Sequence, residues 1–189
     1  MITLSRKQEI INVSSDLFKE KGYSAVTMRD IAKAMGIKAA SLYNHINSKQ
    51  EILNYIIISL AEEFTKGMDS IRSSDLSNID KLKKIVALHV GITSNKTSGM
   101  ASLNNDWMHL EDYLDYYLTL RVNYENSFRE IIKDGIEKNE FIDSNPDIML
   151  FSILSTLRSL YLWIPQKEDL DADELSRTLS QVLLTGINK

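Results

Sequence analysis

Apolar residues in this chain recur every three to four positions, and turn residues interrupt them only at wide intervals. From Ile10 a stripe runs through Val13 and Leu17, with Ile11 and Phe18 broadening it, which is the spacing of one helix face. Ser5-Arg6-Lys7-Gln8 ahead of it reads as a capping box, Ser5 accepting from the backbone while Gln8 reaches back. Gly22 ends that helix, because glycine takes the left-handed terminal geometry without steric cost. Thr27 to Asp30 caps a short second helix through Ile31, Ala34 and Met35, which Gly36 breaks. Another short helix is predicted from Lys38 to His45. Ser48-Lys49-Gln50-Glu51 then opens a long one reaching about Ser70.

The remainder keeps the helical period. Asp80 to about Ser94 is one helix, and the polar stretch Asn95 to Asn105 reads as a loop. A short helix around Trp107 to Leu110 follows. A long amphipathic one then spans about Glu111 to Lys138, with Leu114, Leu118, Val122, Phe128, Ile131 and Ile132 along it. Asn145-Pro146-Asp147 starts a helix, since proline suits the first helical position. That helix runs to about Trp163, is apolar nearly all round, and is expected to be buried on several sides until Pro165 stops it. Asp171 to Glu174 caps a last helix ending at Gly186. No stretch alternates with period two. The predicted fold is all-α, about nine helices, with a three-helix head on a helical body.

Composition narrows the function. The 189 residues are 43% hydrophobic with 7 Gly, 2 Pro and no Cys, which excludes disorder, a disulfide scaffold and a thiol nucleophile. Met1 to Glu9 lacks the apolar core of a signal peptide. The longest apolar patch, Tyr55 to Leu60, is interrupted by Ser59, so a cytoplasmic protein without a membrane span is expected. Residues 1–55 hold 8 Lys and Arg against 5 Asp and Glu, a charge of +3, within a chain of net charge −4. A basic head on an acidic body suits a polyanion partner.

A short helix, a glycine-containing turn and a second short helix form the helix-turn-helix arrangement, whose second helix enters the DNA major groove. The run from Gly22-Tyr23-Ser24-Ala25-Val26-Thr27-Met28-Arg29-Asp30-Ile31-Ala32 through Gly36-Ile37, then Ser41-Leu42-Tyr43-Asn44-His45, Lys49 and Glu51-Ile52-Leu53, resembles the signature of the TetR family of bacterial repressors. The resemblance is specific over about Arg6 to Leu53. It implies a DNA-binding domain over 1–50, a ligand-binding and dimerisation domain over 51–189, and a homodimer on a palindromic operator. The last two helices would form the dimer interface. On this reading Arg6, Thr27, Lys38, Tyr43, His45 and Lys49 meet the DNA backbone, Thr27 through a helix N-terminus. Ala39, Ala40, Ser41 and Asn44 read bases, and the Asn44 amide can bond adenine. Leu42, Ile31, Ala32 and Ile46 are core. The sequence departs from the family pattern where Lys38 replaces a small polar cap, which weakens the start of the recognition helix by about 1 kcal/mol, and where Ala40 replaces a glycine and adds a methyl. An aromatic usual after His45 is Ile46 here.

The body, from Trp107-Met108-His109-Leu110 through Leu120-Arg121-Val122-Asn123-Tyr124-Glu125 to Asn145-Pro146, resembles the fatty-acid and sterol-catabolism repressors that answer to acyl-CoA thioesters. An acyl chain would be lined by Trp107, Met108, Tyr113, Tyr117, Tyr124, Phe151, Leu154 and Tyr161. His109 would donate to a ligand carbonyl, and Arg121, Arg129 and Arg158 are the candidates for phosphate. Plain core packing is the bland alternative for the aromatic residues. For Arg158 it is an ion pair with a carboxylate of the long helix, and for Arg121 a bond to Glu125 one turn on. A second ligand class, aromatic or cationic drugs of an efflux pump, is left open by Glu111, Asp112 and Asp115 with Tyr113, Tyr116 and Tyr117. His89 and His109 with no Cys make a dedicated metal site unexpected, and no cofactor is expected. No nucleophile elbow, phosphate loop or dinucleotide turn is present, so an enzyme is not expected.

Overall fold

The computed structural model describes residues 5–185, and among these every regular element is helical. In chain order α1 is Arg6–Lys21, α2 Met28–Ala34, α3 Ala39–Leu42, α4 Lys49–Arg72, α5 Asn78–Asn95, α6 Thr97–Asn105, α7 Leu114–Glu137, α8 Pro146–Arg158, α9 Leu160–Trp163 and α10 Ala172–Thr185. Single 3-10 turns lie at Tyr23–Ala25, Trp107–His109, Glu111–Tyr113 and Ile164–Gln166. The ends of these helices follow the local chemistry. Ser5 accepts from the Gln8 N–H, and Thr27 and Asp30 form a reciprocal box. Ser77 caps α5 through Asp80, and Asn145 accepts from Asp147 and Ile148 ahead of Pro146.

The described residues form two compact units. One holds the residues up to Leu60 with Ser98–Tyr117, and the other Ala61–Thr97 with the residues from Leu118 onward. In the first, α1 packs on α2 and α2 on α3 around Ile10, Phe18, Ile31, Leu42, Ile46, Ile52 and Leu53. In the second, α5 packs against α8, α9 and α10 around Leu82, Ile85, Val86, Phe128, Ile132, Phe141 and Leu157. Phe141 lies over Gly135 so closely that a Cβ there would stand 2.2 Å from its ring edge.

Several expectations are corrected. Asn95 to Asn105 is not a loop: Thr97–Asn105 is helical, with Gly99 against Ile56 and Leu60, and Met100, Ala101 and Ser102 buried. The helix expected from Lys38 to His45 spans only Ala39–Leu42, and Lys38 makes no side-chain cap bond. Residues Tyr43 to His45 continue as turn, their ends held by His45 and Ile46 N–H bonds to the Leu42 carbonyl. The long helix begins at Leu114, after a 3-10 turn with Glu111 at φ 47°.

The helix expected to run unbroken to Trp163 divides at Ser159, whose hydroxyl returns to the Ser155 carbonyl at 2.9 Å, a bond that bends helices. Nor is it buried on several sides within the chain. Met149, Leu150, Ile153, Leu154 and Leu157 face inward, whereas Ile148 (64%) and Phe151 (72%) are exposed, as are Leu162 and Trp163. Residues 146–166 also have the length and composition to cross a membrane, with a mean hydropathy of 1.4, so Tyr55 to Leu60 is not the longest apolar stretch. The expected end of the last helix, Gly186 to Ile187, lies outside the described residues.

Candidate nucleic-acid interface and effector site

The head presents one polar surface over an apolar base. Leu42 and Ile46 are fully buried, while Lys38, Ala40, Ser41, Asn44 and His45 are exposed, as is Tyr43 at 54%. Ala39 is half-buried. This alternation follows from α3 being one turn anchored by a single leucine, so every other residue of the segment faces outward. The turn before it closes on Gly36, at φ 66°, with the Ile37 N–H on the Ala32 carbonyl at 3.0 Å. Thr27 is exposed at the start of α2, but its hydroxyl and backbone N–H are both engaged by Asp30, whose carboxyl those hydrogen bonds hold below its usual range. Arg6 is exposed at the start of α1 and pairs with Glu9.

Lys49 stands differently from its expected role. Its amino group donates to the Tyr23 carbonyl at 2.8 Å and lies 4.2 Å from the centre of the Tyr23 ring, a cation–π contact. Burial lowers its pKa, against the pull of Asp106. Tyr23 in turn donates to Gln50 at 2.7 Å, Gln50 donates to the His109 carbonyl at 2.6 Å, and the Tyr23 and His109 rings lie 5.4 Å apart. Asp106, half-buried, has its carboxyl pushed up by burial despite the charges of His109 and Lys49. The sequence motif marked Lys49 but held no sign of this internal network.

The twelve residues expected to hold a ligand divide between the units. In the first, Trp107 and Tyr117 stack at 6.0 Å with Tyr117 buried, while Met108, His109 and Tyr113 are exposed. Glu111, Asp112, Asp115 and Tyr116 are exposed too, so the acidic and aromatic set considered for cationic drugs does not converge into a pocket.

In the second unit Arg158 donates to Glu125 Oε1 at 2.6 Å, and Arg121 reaches the same oxygen at 3.3 Å. Burial pushes Glu125 up, but the bond and charge of Arg158, helped by Arg121, outweigh it and hold the carboxyl below its usual range. Arg129 pairs instead with Asp147. Leu154 is buried, Tyr161 half-buried, and Phe151 points out of the unit. Tyr124 is buried, with its hydroxyl 2.9 Å from His89 Nε2. Phe64 completes this cluster, its ring 4.6 Å from that of His89. Burial, and secondarily the charge of Arg158, press His89 down to about 3, so it is neutral at pH 7. The signal that could have found this cluster is the pair of polar residues, His89 and Thr93, on the apolar face of α5.

Residues 10–56 match the model for bacterial regulatory proteins of the tetR family, and residues 75–187 match the tetracyclin repressor-like C-terminal domain. The HTH-type transcriptional repressor KstR2 of Rhodococcus jostii (strain RHA1) is 22% identical over 185 residues, covering 96% of this chain and 91% of that protein. The biofilm operon icaADBC HTH-type negative transcriptional regulator IcaR of Staphylococcus aureus (strain Newman) is 52% identical, but over 46 residues, 24% of this chain and 25% of its own. The solved structure of the ketosteroid transcriptional regulator KstR2 of Mycobacterium tuberculosis superposes with a TM-score of 0.92 at 22% identity, covering 99% of this chain and 97% of that one.

Proposed function

We propose that this chain, which belongs to the TetR family of DNA-binding transcriptional regulators, is a repressor that grips a palindromic operator as a homodimer and lets go when its body takes up a small molecule. It is a regulator and not an enzyme. The observation that carries the reading is the exposed run Lys38 to His45 over a buried Leu42, a surface free to enter a major groove. On it Lys38, Tyr43 and His45, with Arg6 and Thr27, hold the DNA backbone, while Ala39, Ala40, Ser41 and Asn44 meet base edges. Lys49 joins the backbone contacts by exchanging the Tyr23 carbonyl for a phosphate oxygen. With two alanines in the reading set, thymine methyl contact and DNA shape carry much of the sequence preference.

The division of labour is 1–50 for DNA and 51–189 for effector and partner, and the place of work is the cytoplasm, where bacterial DNA is. The apolar outer face of α8 and α9, continued by Val182 of α10 at 68% exposure, supports a dimer through the last helices. Two recognition surfaces held one helical turn apart supply the interface that a single four-residue α3 cannot. The effector is an acyl-CoA thioester, a reading supported by the body's likeness to regulators of lipid and sterol catabolism. Within the second unit the buried residues Tyr124 and Leu154 suit its chain, and Arg158 its phosphates once Glu125 releases it. A cationic drug is less well served, because the acidic residues near Tyr113 lie in water.

The test is fluorescence anisotropy on DNA from upstream of the gene, titrated with salt, free CoA and acyl-CoAs of three chain-length classes. Saturable binding with a steep salt slope, lost in Tyr43→Ala and released by one chain-length class but not by free CoA, is the expected result. Tight binding that no thioester disturbs would remove the acyl-CoA reading and keep the repressor.

A further inference from the structure

Several threonines inside the helices of this chain turn their hydroxyls back on the carbonyl four residues earlier. Thr65, Thr97, Thr156 and Thr185 all do so, at distances between 2.5 and 3.3 Å. Thr93 does not. Its Oγ1 is wholly buried, at 0% exposure for the residue, and finds no hydrogen-bond partner among the described residues. Nor does Nδ1 of His89, a residue 4% exposed. The two residues are four apart on α5, hence neighbours on one helix face, about 5–6 Å between their Cβ atoms. An unpaired polar atom in an interior costs stability and is rare in folded proteins. Two side by side, on a helix that is otherwise apolar on that face, mark a place kept for something.

Its chemistry is restricted. The Phe64 ring lies against His89, and Tyr124 occupies Nε2. When the Tyr124 hydroxyl donates to Nε2, the imidazole proton sits on Nδ1, so the unused atoms are one N–H and one O–H. Arg158 is near enough for its charge to act on both His89 and Tyr124, which disfavours a second cation beside them. No side chain of this cluster supplies a charge for a bare anion, since Arg158 is held by Glu125.

We propose that His89 and Thr93 are the recognition point for one neutral carbonyl oxygen on the apolar portion of the effector, with Nδ1–H and Oγ1–H both donating to it. This rests on the reading that the body holds an effector. It adds which oxygen is recognised and where, and a ketone or a thioester would present the same group.

The test uses the full-length protein and matched probes differing only at the carbonyl: 2-decalone against decalin, and S-ethyl octanethioate against ethyl octyl sulfide. Binding is followed by tryptophan fluorescence, with the 15N resonance of His89 Nδ1 as the local reporter. The carbonyl member of at least one pair should bind about tenfold more tightly than its partner and alone should shift Nδ1. Preference in the first pair alone identifies a ketone, and in the second a thioester. Thr93→Val should erase the preference while leaving the thermal midpoint unchanged or higher, since a methyl replaces an unpaired hydroxyl, and Thr93→Ser should restore it.

Equal binding within both pairs, an unshifted Nδ1, or a preference that survives Thr93→Val overturns the proposal. So does failure of every probe to bind, which would leave water as the partner of both atoms. Should an acyl-CoA still release DNA equally from wild type and Thr93→Val, the effector reading stands and only this site falls. Should no molecule release DNA, the effector reading falls with it.

Discussion

Acid should weaken this protein through one residue in particular. His89 ionises near 6.5 in an unfolded chain but is pressed down to about 3 in the fold, first by burial and then by the charge of Arg158. Between these values the unfolded chain binds a proton that the folded one refuses. Stability therefore falls as pH drops through 6.5 and goes on falling until about 3. At pH 5 the deficit spans about 1.5 pH units at about 1.4 kcal/mol each, hence about 2 kcal/mol. This figure is insensitive to the folded value, provided that value lies well below 5. His89→Gln removes the titration and keeps an amide able to meet the Tyr124 hydroxyl. Urea unfolding of both proteins at pH 7 and pH 5, at one protein concentration, isolates the term, because His45, His109 and the carboxylates are common to both. The midpoint of wild type should drop by about 1 M more than that of the variant, for a slope of about 2 kcal/mol per molar urea. An equal drop in the two proteins would show that His89 titrates like an exposed histidine, and the argument from burial would be wrong.

Other substitutions probe other parts. Gly135→Ala would place its methyl 2.2 Å from the Phe141 ring, so a loss of about 2 kcal/mol and a fall of about 5 °C in Tm are expected, partly recovered by adding Phe141→Leu. An unchanged melt would mean the ring moves aside freely. Lys38→Ser gives α3 the cap it lacks, about 1 kcal/mol, while removing the proposed phosphate contact. Stability should rise and the log–log salt slope of DNA binding should shrink by about 1, and an unaltered slope would take Lys38 off the DNA. Arg158→Met strips Glu125 of its main partner, and after solvent screening the cost at pH 7 should be about 1 kcal/mol. Because Arg158 stabilises the ionised carboxylate, that cost should begin to fade as pH falls past about 4.5, where the unfolded chain takes up the proton, and be lost once pH falls through the lower folded value of Glu125. A cost undiminished after the folded carboxyl is protonated would mean that Arg158 contributes packing and not charge.

Where helix ends are written in side chains, the sequence disclosed them. Ser5, Thr27 and Asn145 with Pro146 each cap where local chemistry requires, and the helix-turn-helix signature lies in register with α1 to α4, whereas the Ser77 cap starts α5 two residues ahead of the expected Asp80. What the sequence hid depends on neighbours distant along the chain. Thr97 to Asn105 is rich in small and polar residues and looks like a loop. It is helical because Gly99 lets it approach Ile56 and Leu60, a decision of packing that overrides propensity. The partner of Arg158 was narrowed to a carboxylate of the long helix, yet that it is Glu125, 33 residues away, is set by the docking of α8 on α7. His89 was weighed as a metal ligand, and its tyrosine lies 35 residues further on. The helix around Trp163 was expected to be buried on several sides because its residues are greasy, and composition alone does not say whether a second face meets the chain's own core.

The network that holds Lys49 carries a thermodynamic obligation. The lysine rests on Tyr23, Tyr23 on Gln50, and Gln50 on the carbonyl of His109, so on the proposed reading, in which Lys49 leaves for a phosphate, its freedom to do so is tied to the position of the Trp107–His109 turn. Any molecule that favours one setting of that turn alters operator affinity by some factor, and linkage requires the operator to alter that molecule's affinity by the same factor. An inducer's dissociation constant measured on free protein is therefore tighter than the one that matters at an occupied promoter. The concentration at which the gene switches then depends on how much DNA the regulator is holding.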